Sequence, residues 1–484
     1  MKNIADLSIE NNLSLQEVYQ SNFSDDNYFL EKEPLRDWKL GIFTGHRSRV
    51  LVYMILLTTF LYVYQSILWP RAVYPRGLIQ TIWSWGTLLW LGAVIPGILG
   101  LYGLIRFNYC RNLDVTLPMN KIVSFRIVTR GNNIEAVIST IRSCQLEMVK
   151  TPLFPYIIEV VIEEDAQIDQ LPFDHDVIIL KVPRNYSTFN KSLYKARALQ
   201  FALDNSQLPL DAWIVHLDEE THPTSSGIKG ICAMIQEEEA TGKLRVGQGA
   251  ILYHRNWKKH PILTLADNVR TGDDFARFYF QHKLGKTIFG LHGSYIVVRN
   301  DVESKIGFDF GPVGSITEDA FWALKLMEAG YRCRWVDGYL EEQSTQSAGD
   351  FIRQRRRWYQ GLVKVSLFAP VKFRWKIAIG LNTFLWTIAP FAAIYTVFHF
   401  IYGFEVVSWI RLFANLSFAS FVTLYLVGLK TNLDESKDIG NTKLSRLFWI
   451  ICQIILTPFF TMLEACGVLS AIIKPVSGFH VVKK

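Results

Sequence analysis

Two carboxylates, Asp218 and Glu220, stand one residue apart just after the apolar run 212–215. Side chains at positions i and i+2 of an extended segment point to the same side, so both carboxylates can face one hard cation. In an open α/β sheet, ligands bind outside the carboxyl ends of the strands, where this pair would lie. The pattern predicts a site for Mg²⁺ or Mn²⁺, and the alternative interpretation is a solvated acidic turn.

A second acidic pair, Glu318 and Asp319, stands just before a helical pattern at 321–329. The dipole at a helix N-terminus favours the ionised form of a carboxylate such as Asp319. An ionised carboxylate that faces a hydroxyl group can act as its general base, and this is the role predicted for Asp319. The alternative is an acidic first turn without a chemical role.

A third motif, Gln354, Arg357 and Trp358, has the spacing i, i+3, i+4 and therefore occupies one face of a helix. Arg357 can neutralise charge that develops on a diphosphate, and Trp358 can stack under a sugar ring. Three neighbouring arginines are assigned to the membrane surface: Arg353, Arg355 and Arg356.

Strand patterns that alternate with helical patterns must position these motifs. Strands are predicted at 121–129, 156–162, 177–182 and 213–217, and helices from Ile134 onward and over 191–203. This alternation indicates a parallel, doubly wound α/β sheet. No G-x-G-x-x-G follows the first strand, so a dinucleotide-type Rossmann site is not supported.

Polar residues near the strand ends are candidates for binding a nucleoside diphosphate. Thr129 and Arg130 close the first strand pattern. Asp165 follows the second, where it either grips a base or ribose or belongs to an acidic turn. Lys195 and Arg197 share a helix and either reach a diphosphate or form a solvated face.

Length and composition indicate a membrane enzyme. The chain has 484 residues, is 50% hydrophobic and 14% aromatic, and carries a formal charge of +7. Apolar segments long enough to cross a bilayer lie at 50–69, 78–105, 376–402, 406–429 and 447–473. Pro390 and Pro458 interrupt two of them, so a re-entrant hairpin remains an alternative. The polar first 47 residues lack the pattern of a cleaved signal peptide.

Charge placement predicts the orientation. Eight Lys or Arg and no acidic residue fall between 351 and 376, which places the central domain in the cytosol by the positive-inside rule. Arg71 and Arg76, between the first two apolar segments, weakly favour the opposite orientation. The six cysteines are scattered and show neither metal-ligand spacing nor a disulfide framework, which suits a reducing cytosol.

The order of the three motifs resembles the D-x-D, E-D and Q-x-x-R-W series of membrane-bound family 2 glycosyltransferases, with Glu220 in place of the second Asp. Segments 213–221, 247–249, 265–267, 293–295 and 354–361 further resemble the Egghead-type branch, which consists of β-1,4-mannosyltransferases. The resemblance covers roughly residues 120–365.

This resemblance implies a GT-A type nucleotide-sugar-binding domain inserted between transmembrane helices. The expected division is a cytosolic segment at 1–49, two transmembrane helices at 50–105, the catalytic domain at 106–350, interfacial helices at 351–375, about three transmembrane helices at 376–473 and a tail at 474–484.

The resemblance also implies an inverting, metal-dependent transfer of mannose from GDP-mannose to glucosylceramide. It places the protein in the endoplasmic reticulum or Golgi membrane, with no nucleic-acid partner. The catalytic residues would be Asp319 and Glu318, and the ligands of Mg²⁺ or Mn²⁺ would be Asp218 and Glu220. The donor site would comprise Thr129, Arg130, Asp165, Lys195, Arg197, Asp218, Gln354 and Arg357. The acceptor site would comprise His292, Gly293, Ser294 and Trp358.

Two other functions fit parts of the pattern. A processive β-glycan synthase would use the same motifs, and the length of the product distinguishes it from a single-transfer enzyme. A transporter or an inactive scaffold is the non-enzymatic alternative. Transporters carry ionisable residues deep inside their spans, whereas the probable spans here hold few: Glu464 is the clearest, and Arg411 lies near an end.

Overall fold

The computed structural model describes residues 46–68, 77–107, 118–166, 174–255, 257–402, 406–436 and 439–475. Nearly all of the predicted segment 1–49 lies outside these ranges. Arg71, Arg76, Cys110 and most of the predicted tail at 474–484 also lie outside them.

Eight strands form one sheet. In chain order they are β1 (Val123–Thr129), β2 (Tyr156–Glu163), β3 (Val177–Val182), β4 (Trp213–Asp218), β5 (His222–Pro223), β6 (Val246–Leu252), β7 (Ile296–Arg299) and β8 (Cys333–Glu341). Their order across the sheet is β3-β2-β1-β4-β7-β6-β8-β5. Strands β3, β2, β1 and β4 are parallel to one another, whereas β7 is antiparallel to both β4 and β6.

The four strands predicted from the sequence form the parallel half of this sheet, and β3 has the predicted bounds. A sheet that is parallel throughout was the wrong expectation for the other half. The N–H of Tyr295 donates a 2.8 Å hydrogen bond to the carbonyl oxygen of His216, so the chain enters β7 beside the end of β4 and runs back along it. The sheet is therefore mixed, and β4 lies where the strand direction changes.

Helices cover the sheet and continue into long apolar elements. They are α1 (His46–Leu68), α2 (Leu78–Trp85), a 3₁₀ segment (Gly86–Ala93), α3 (Val94–Arg106), α4 (Ile134–Lys150), α5 (Tyr194–Asn205), α6 (Ser225–Thr241), α7 (Pro261–Asp273), a π-helical turn (Asp274–Phe278), α8 (Tyr279–Leu284), α9 (Asn300–Ile306), α10 (Gly311–Gly314), α11 (Glu318–Glu328), α12 (Ala348–Phe368), α13 (Phe373–Tyr402), α14 (Ser408–Glu435) and α15 (Lys443–Ile473).

Five helical stretches within the described residues are long and apolar enough to cross a bilayer: Arg47–Ile67, Gly86–Arg106, Phe373–His399, Ser408–Glu435 and Lys443–Ile473. Large apolar side chains are exposed on all five, for example Ile55, Ile98, Phe384 and Ile455. A protein in water would bury such surface, so the chain is a membrane protein.

Glycines join the sheet domain to this apolar bundle. A Cβ on Gly428 of α14 would lie 1.9 Å from the carbonyl oxygen of Asn268 on α7, and one on Gly272 would lie 2.1 Å from that of Leu424. The two helices therefore pack backbone against backbone. Asn432 fixes the joint, because its side chain donates to Asn268 at 2.9 Å and accepts from the N–H of Tyr253 at 2.8 Å.

Candidate active site

A cavity of about 1540 Å³ opens at the carboxyl ends of β1 and β4. All the residues that the sequence places in the site line this cavity: Thr129, Arg130, Asp165, Lys195, Arg197, Asp218, Glu220, His292, Gly293, Ser294, Glu318, Asp319, Gln354, Arg357 and Trp358. The fold thus gathers motifs that are far apart in the chain, and the individual roles stay predictions.

Lys195 is the cation at the centre of the acidic cluster. Its Nζ lies 2.5 Å from Asp218 Oδ1 and 3.8 Å from Glu318 Oε1, and it donates a 2.9 Å hydrogen bond to the carbonyl oxygen of Gly293. Burial alone would lower the pKa of Lys195, but the charges of Asp218 and Glu318 raise it above its ordinary value. Lys195 therefore stays charged and holds carboxylates from β4 and α11 together.

Asp319 is the second residue of α11 and faces the same space. A Cβ on Gly293 would lie 3.5 Å from its Oδ2. Burial and the neighbouring charge of Glu318 raise the pKa of Asp319 to about 7. The expectation that the helix terminus favours its ionised form is wrong on balance, because a backbone hydrogen bond and the charges of Lys195 and Arg357 do not offset burial. A pKa near neutrality suits a general base.

Contacts of the two following residues, Tyr295 and Ser294, with the protein interior fix the turn that contains Gly293. Tyr295 has a φ of 57°, in the left-handed region, and its fully buried ring lies where a side chain on Gly249 would collide, 2.2 Å from that Cβ position. The hydroxyl of Ser294 lies 2.8 Å from that of Thr221 in the turn after β4. Strained backbone of this kind persists only where the surroundings fix it, and it is often found at functional sites.

His292 has structural partners. Its Nε2 lies 3.3 Å from Asp274 Oδ1, and its ring packs edge-on against Phe278 with centroids 4.2 Å apart. Burial lowers the pKa of His292 to about 3. The imidazole is therefore neutral at physiological pH, and it can contact an acceptor sugar only as a neutral group.

The two predicted metal ligands differ in their backbone setting. Asp218 is the last residue of β4, whereas Glu220 lies in the following turn, so the argument from an extended strand does not apply to it. Between them, the side chain of Glu219 accepts a 2.5 Å hydrogen bond from the hydroxyl of Thr129. Arg255 donates to the backbone carbonyl of Glu220 at 3.0 Å and fixes the turn.

Asp218 and Glu220 nonetheless line the same cavity and offer hard oxygen ligands. Within the described ranges, no group of three His, Cys, Asp or Glu side chains is placed to hold a metal ion. A divalent ion here would therefore need oxygens from a bound diphosphate as well, and such a mixed shell is usual for Mg²⁺. The residues fit a metal that arrives with the donor.

Among the predicted donor-site residues, the side chain of Arg197 binds other groups of the protein. Its guanidinium pairs with Glu163 and donates to the carbonyl oxygens of Pro183 and Tyr186, at 3.2 and 3.0 Å. It therefore fixes the loop that follows β3. Asp165, by contrast, is more than half exposed at the cavity wall and lies 3.4 Å from Arg184, which leaves it accessible to a nucleoside.

Helix α12 carries the third motif and the three arginines that were assigned to the membrane surface. For Arg355 this assignment is wrong. Arg355 does not lie at the membrane surface, because its side chain is only 2% exposed. Its guanidinium lies 2.9 Å from Asp267 on α7 and 2.5 Å from Glu464 on α15, and it donates to Gln354 at 2.6 Å. Nothing in the run of arginines distinguishes Arg355 as the one that faces two carboxylates from distant parts of the chain.

Arg270 on α7 lines the cavity and was missed from the sequence. The carbon at the centre of its guanidinium lies 4.1 Å from the ring centroid of Tyr253 and 4.8 Å from that of Trp358. Arg355 lies 4.4 Å from the same Trp358 centroid. The only signal in the sequence was the position of Arg270 one helical turn after Asp267. Two arginines therefore orient the Trp358 ring.

The chain is similar to known proteins over most of its length. The family described as Glycosyl transferase family group 2 matches residues 213–460. The chain is 30% identical over 423 residues to beta-1,4-mannosyltransferase bre-3 of Caenorhabditis elegans, with coverage of 86% of this chain and 90% of the relative. It is 29% identical over 401 residues to beta-1,4-mannosyltransferase egh of Drosophila melanogaster, with coverage of 82% and 86%.

Among solved structures, the mannosyltransferase PcManGT from Pyrobaculum calidifontis, in complex with GDP-Man and Mn²⁺, aligns with 88% of this chain and all of its own. The TM-score is 0.42 and the sequence identity 12%. A TM-score this low does not establish a shared ligand.

A mixed sheet with a carboxylate cluster at its strand ends, set between apolar helices, defines a membrane-associated glycosyltransferase of the GT-A type. This chain belongs to glycosyltransferase family 2, as the match over 213–460 and the extended similarity to the worm enzyme show. Its activity is that of a hexosyltransferase.

Proposed function

We propose that the enzyme transfers mannose from GDP-mannose to the glucose of glucosylceramide and forms a β-1,4 linkage. The names of the worm and fly relatives support the sugar and the linkage. The shape of the cavity supports a lipid acceptor, because one continuous space runs from the cluster around Lys195 to the gap between the apolar helices. An acceptor with a sugar at one end and hydrocarbon at the other matches this arrangement.

Small and aliphatic side chains line the part of the cavity between the apolar helices. Gly97 of α3, Ala393 of α13, Ser420 of α14 and Ala465 of α15 are among them. A soluble acceptor gains nothing from such a lining, whereas an alkyl chain is stabilised by about 0.8 kcal/mol for each buried methylene group. This is the observation that favours a glycolipid over a soluble sugar.

The acidic cluster supports an inverting, single-displacement transfer. Asp319 would take the proton from the acceptor hydroxyl while that oxygen forms its bond to the anomeric carbon, opposite the departing GDP. Glu318 would hold the ammonium group of Lys195 beside the reacting groups. Asp218 and Glu220 would hold Mg²⁺ or Mn²⁺, which as a Lewis acid would neutralise the diphosphate.

The remaining residues would position the two substrates. Asp165 would bind the nucleoside, and Gln354 and Arg357 the diphosphate, with Thr129 and Arg130 shaping the end of β1. The turn 292–294 would form the floor under the acceptor sugar and Trp358 its stacking surface. The basic residues between 351 and 376 support a cytosolic catalytic domain in the endoplasmic reticulum or Golgi membrane.

Purified protein supplied with glucosylceramide and, separately, GDP-mannose, UDP-glucose or UDP-N-acetylglucosamine tests the proposal. The expected product, resolved by mass, carries one added hexose, forms only with GDP-mannose and disappears in excess chelator. Asp319→Asn is the matched inactive control. A ladder of longer products would identify a polysaccharide synthase, and transfer from a UDP-sugar alone would refute the donor.

A further inference from the structure

We propose that α15, the most C-terminal apolar helix, does not cross the membrane. It lies instead along the leaflet nearest the catalytic domain, so that the chain crosses the bilayer four times. The inference depends on which residues each apolar helix contacts along its length, and it holds whichever face of the membrane the domain occupies.

Helix α13 shows the pattern of a crossing helix. Its early residue Ile379 packs against domain residues, and Thr387, two turns further on, still lies 2.8 Å from the hydroxyl of Tyr359. Beyond that point Tyr395 packs at a centroid distance of 5.5 Å against Trp90, which belongs to another apolar helix. The far part of α13 therefore contacts another apolar helix and no longer the domain.

Helix α14 runs the opposite way with the same pattern. Near its end, Asn432 is bonded to Asn268 and to the N–H of Tyr253 in the catalytic domain. Near its start, Asn415 exchanges amide hydrogen bonds of 3.0 and 3.1 Å with Gln65 of α1. Each crossing helix thus meets the domain with one end only.

Helix α15 instead contacts the domain in its first half. The ring of Trp449 packs 5.3 Å from that of Trp257, in the loop after β6. One turn later, the side chain of Gln453 accepts a 2.8 Å hydrogen bond from Asn268 on α7. Both Trp257 and Asn268 are almost fully buried by this packing.

The second half of α15 contacts the domain again, through α12. Glu464 pairs with Arg355 at 2.5 Å. A Cβ on Gly467 would lie 2.6 Å from the Cβ of Arg355, so the two helices touch at their backbones. Just past the end of α15, the carbonyl oxygen of Lys474 accepts a hydrogen bond from Arg356.

These contacts extend over more than the thickness of a bilayer. Trp449 and Ala471, which packs against Tyr359 of α12, are roughly 33 Å apart along a helix at 1.5 Å per residue, and the hydrocarbon core is about 30 Å thick. If α15 crossed, α7 and α12 would have to cross beside it. Helix α12 cannot, because it carries Lys364 and Arg353, the latter with 48% of its side chain exposed.

The outer face of α15 fits the acyl chains of one leaflet. Its exposed large apolar side chains recur every three or four residues from Leu444 to Met462, and two more lie at its end, while the exposed Lys443 is its first residue: Leu444, Leu447, Phe448, Ile451, Ile454, Ile455, Phe459, Met462, Ile472 and Ile473. The opposite face carries Gln453 and Glu464, which pair with the domain. A helix that packs against the domain with one face and exposes an apolar stripe on the other can lie in the plane of the membrane.

Four crossings place the C-terminus on the same side as the catalytic domain, whereas five would place it on the opposite side. The full chain, with an epitope after Lys484, is expressed in sealed microsomes and treated with protease from outside. With the catalytic domain on the cytosolic face, as proposed above, we expect the epitope and the domain to be digested together without detergent. The same epitope inserted between α1 and α2 is the control and should be digested only after detergent. A C-terminal epitope that stays protected while the domain is cleaved would overturn the proposal.

A second measurement avoids the added epitope. In a Cys466→Ser background, Lys474→Cys should react with a membrane-impermeant maleimide in the same sealed microsomes, because Lys474 lies just past the end of α15 and is exposed. Leu412→Cys, near the far end of α14, is the matched control and should react only after detergent. If the two positions reacted in the reverse order, α15 would be a fifth crossing helix.

Discussion

Two clusters of buried charge share one sheet and use similar residues, yet their electrostatics differ. In the inner cluster, Arg126 of β1 lies 2.8 Å from both Glu159 and Glu303, and His216 lies 2.5 Å from Glu303. All four are almost fully buried. Burial would raise the pKa of Glu303, but the charges of His216 and Arg126 lower it.

The outer cluster, at the strand ends, groups three carboxylates around Lys195, and the charge of Arg357 also acts on Asp319. Lys195 pairs with Asp218 and Glu318, and burial together with the charge of Glu318 raises the pKa of Asp319 to about 7. In the inner cluster each carboxylate has a buried side-chain partner and almost no access to solvent, so this cluster holds the sheet together. The outer cluster opens to the cavity, so it has room for a cation and for a carboxylate that can take a proton.

The largest expected effect is on stability, from breaking the inner cluster. Arg126→Met would leave Glu159 and Glu303 buried without their main cation, and a loss of about 3–5 kcal/mol in the free energy of unfolding is expected. Thermal unfolding in detergent measures it. Lys121→Met, at the partly exposed pair with Asp211, is the control and should cost less than about 1 kcal/mol. Equal losses would show that burial does not distinguish the two pairs.

The matching change in the outer cluster should affect turnover and leave the fold intact. Asp319→Asn keeps the shape of the side chain but removes the base, and a loss of about a thousandfold in turnover, equivalent to about 4 kcal/mol, is expected. GDP binding by calorimetry and the melting temperature should stay close to those of the wild type. A variant that kept normal turnover at saturating substrate would rule out Asp319 as the base.

The raised pKa of Asp319 predicts a pH profile. A general base must be ionised, so turnover should rise as pH increases through about 7. Below that value it should fall about tenfold per pH unit, because the ionised fraction falls by that factor. Turnover at saturating substrates between pH 5.5 and 8.5 checks this, with Asp319→Asn as the control that should lose the dependence. A wild-type profile that is flat across pH 7 would contradict the assignment.

The smallest effect concerns the edge of the outer cluster, where the acceptor is proposed to bind. Trp358→Ala should cost about 1 kcal/mol, or roughly fivefold, in transfer to glucosylceramide through loss of aromatic contact. It should affect hydrolysis of GDP-mannose by water less. Arg357→Lys keeps the charge but loses the planar fork, so it should impair both reactions. Equal losses in both reactions for Trp358→Ala would assign this ring to the donor site or to the fold.

Much of the fold could be predicted because its signals are local. The strand patterns that became β1 to β4 and the helical patterns around α4, α5 and α11 depend on the spacing of apolar residues over a few turns. The antiparallel entry of β7 could not be predicted in this way. Its direction depends on the pairing of Tyr295 with His216, which are far apart in the chain.

The sequence by itself determined which side chains are available for chemistry: the carboxylates of two acidic motifs, the Gln354, Arg357 and Trp358 face, and the apolar segments. Only the tertiary structure decided that Arg355 is buried between Asp267 and Glu464 and that Asp319 has a pKa near neutrality. It also decided that both halves of α15 contact the domain. The physical reason is that pKa values and ion pairs depend on distances in space. Hydropathy records how apolar a helix is, and whether that surface meets lipid or protein depends on what packs against it.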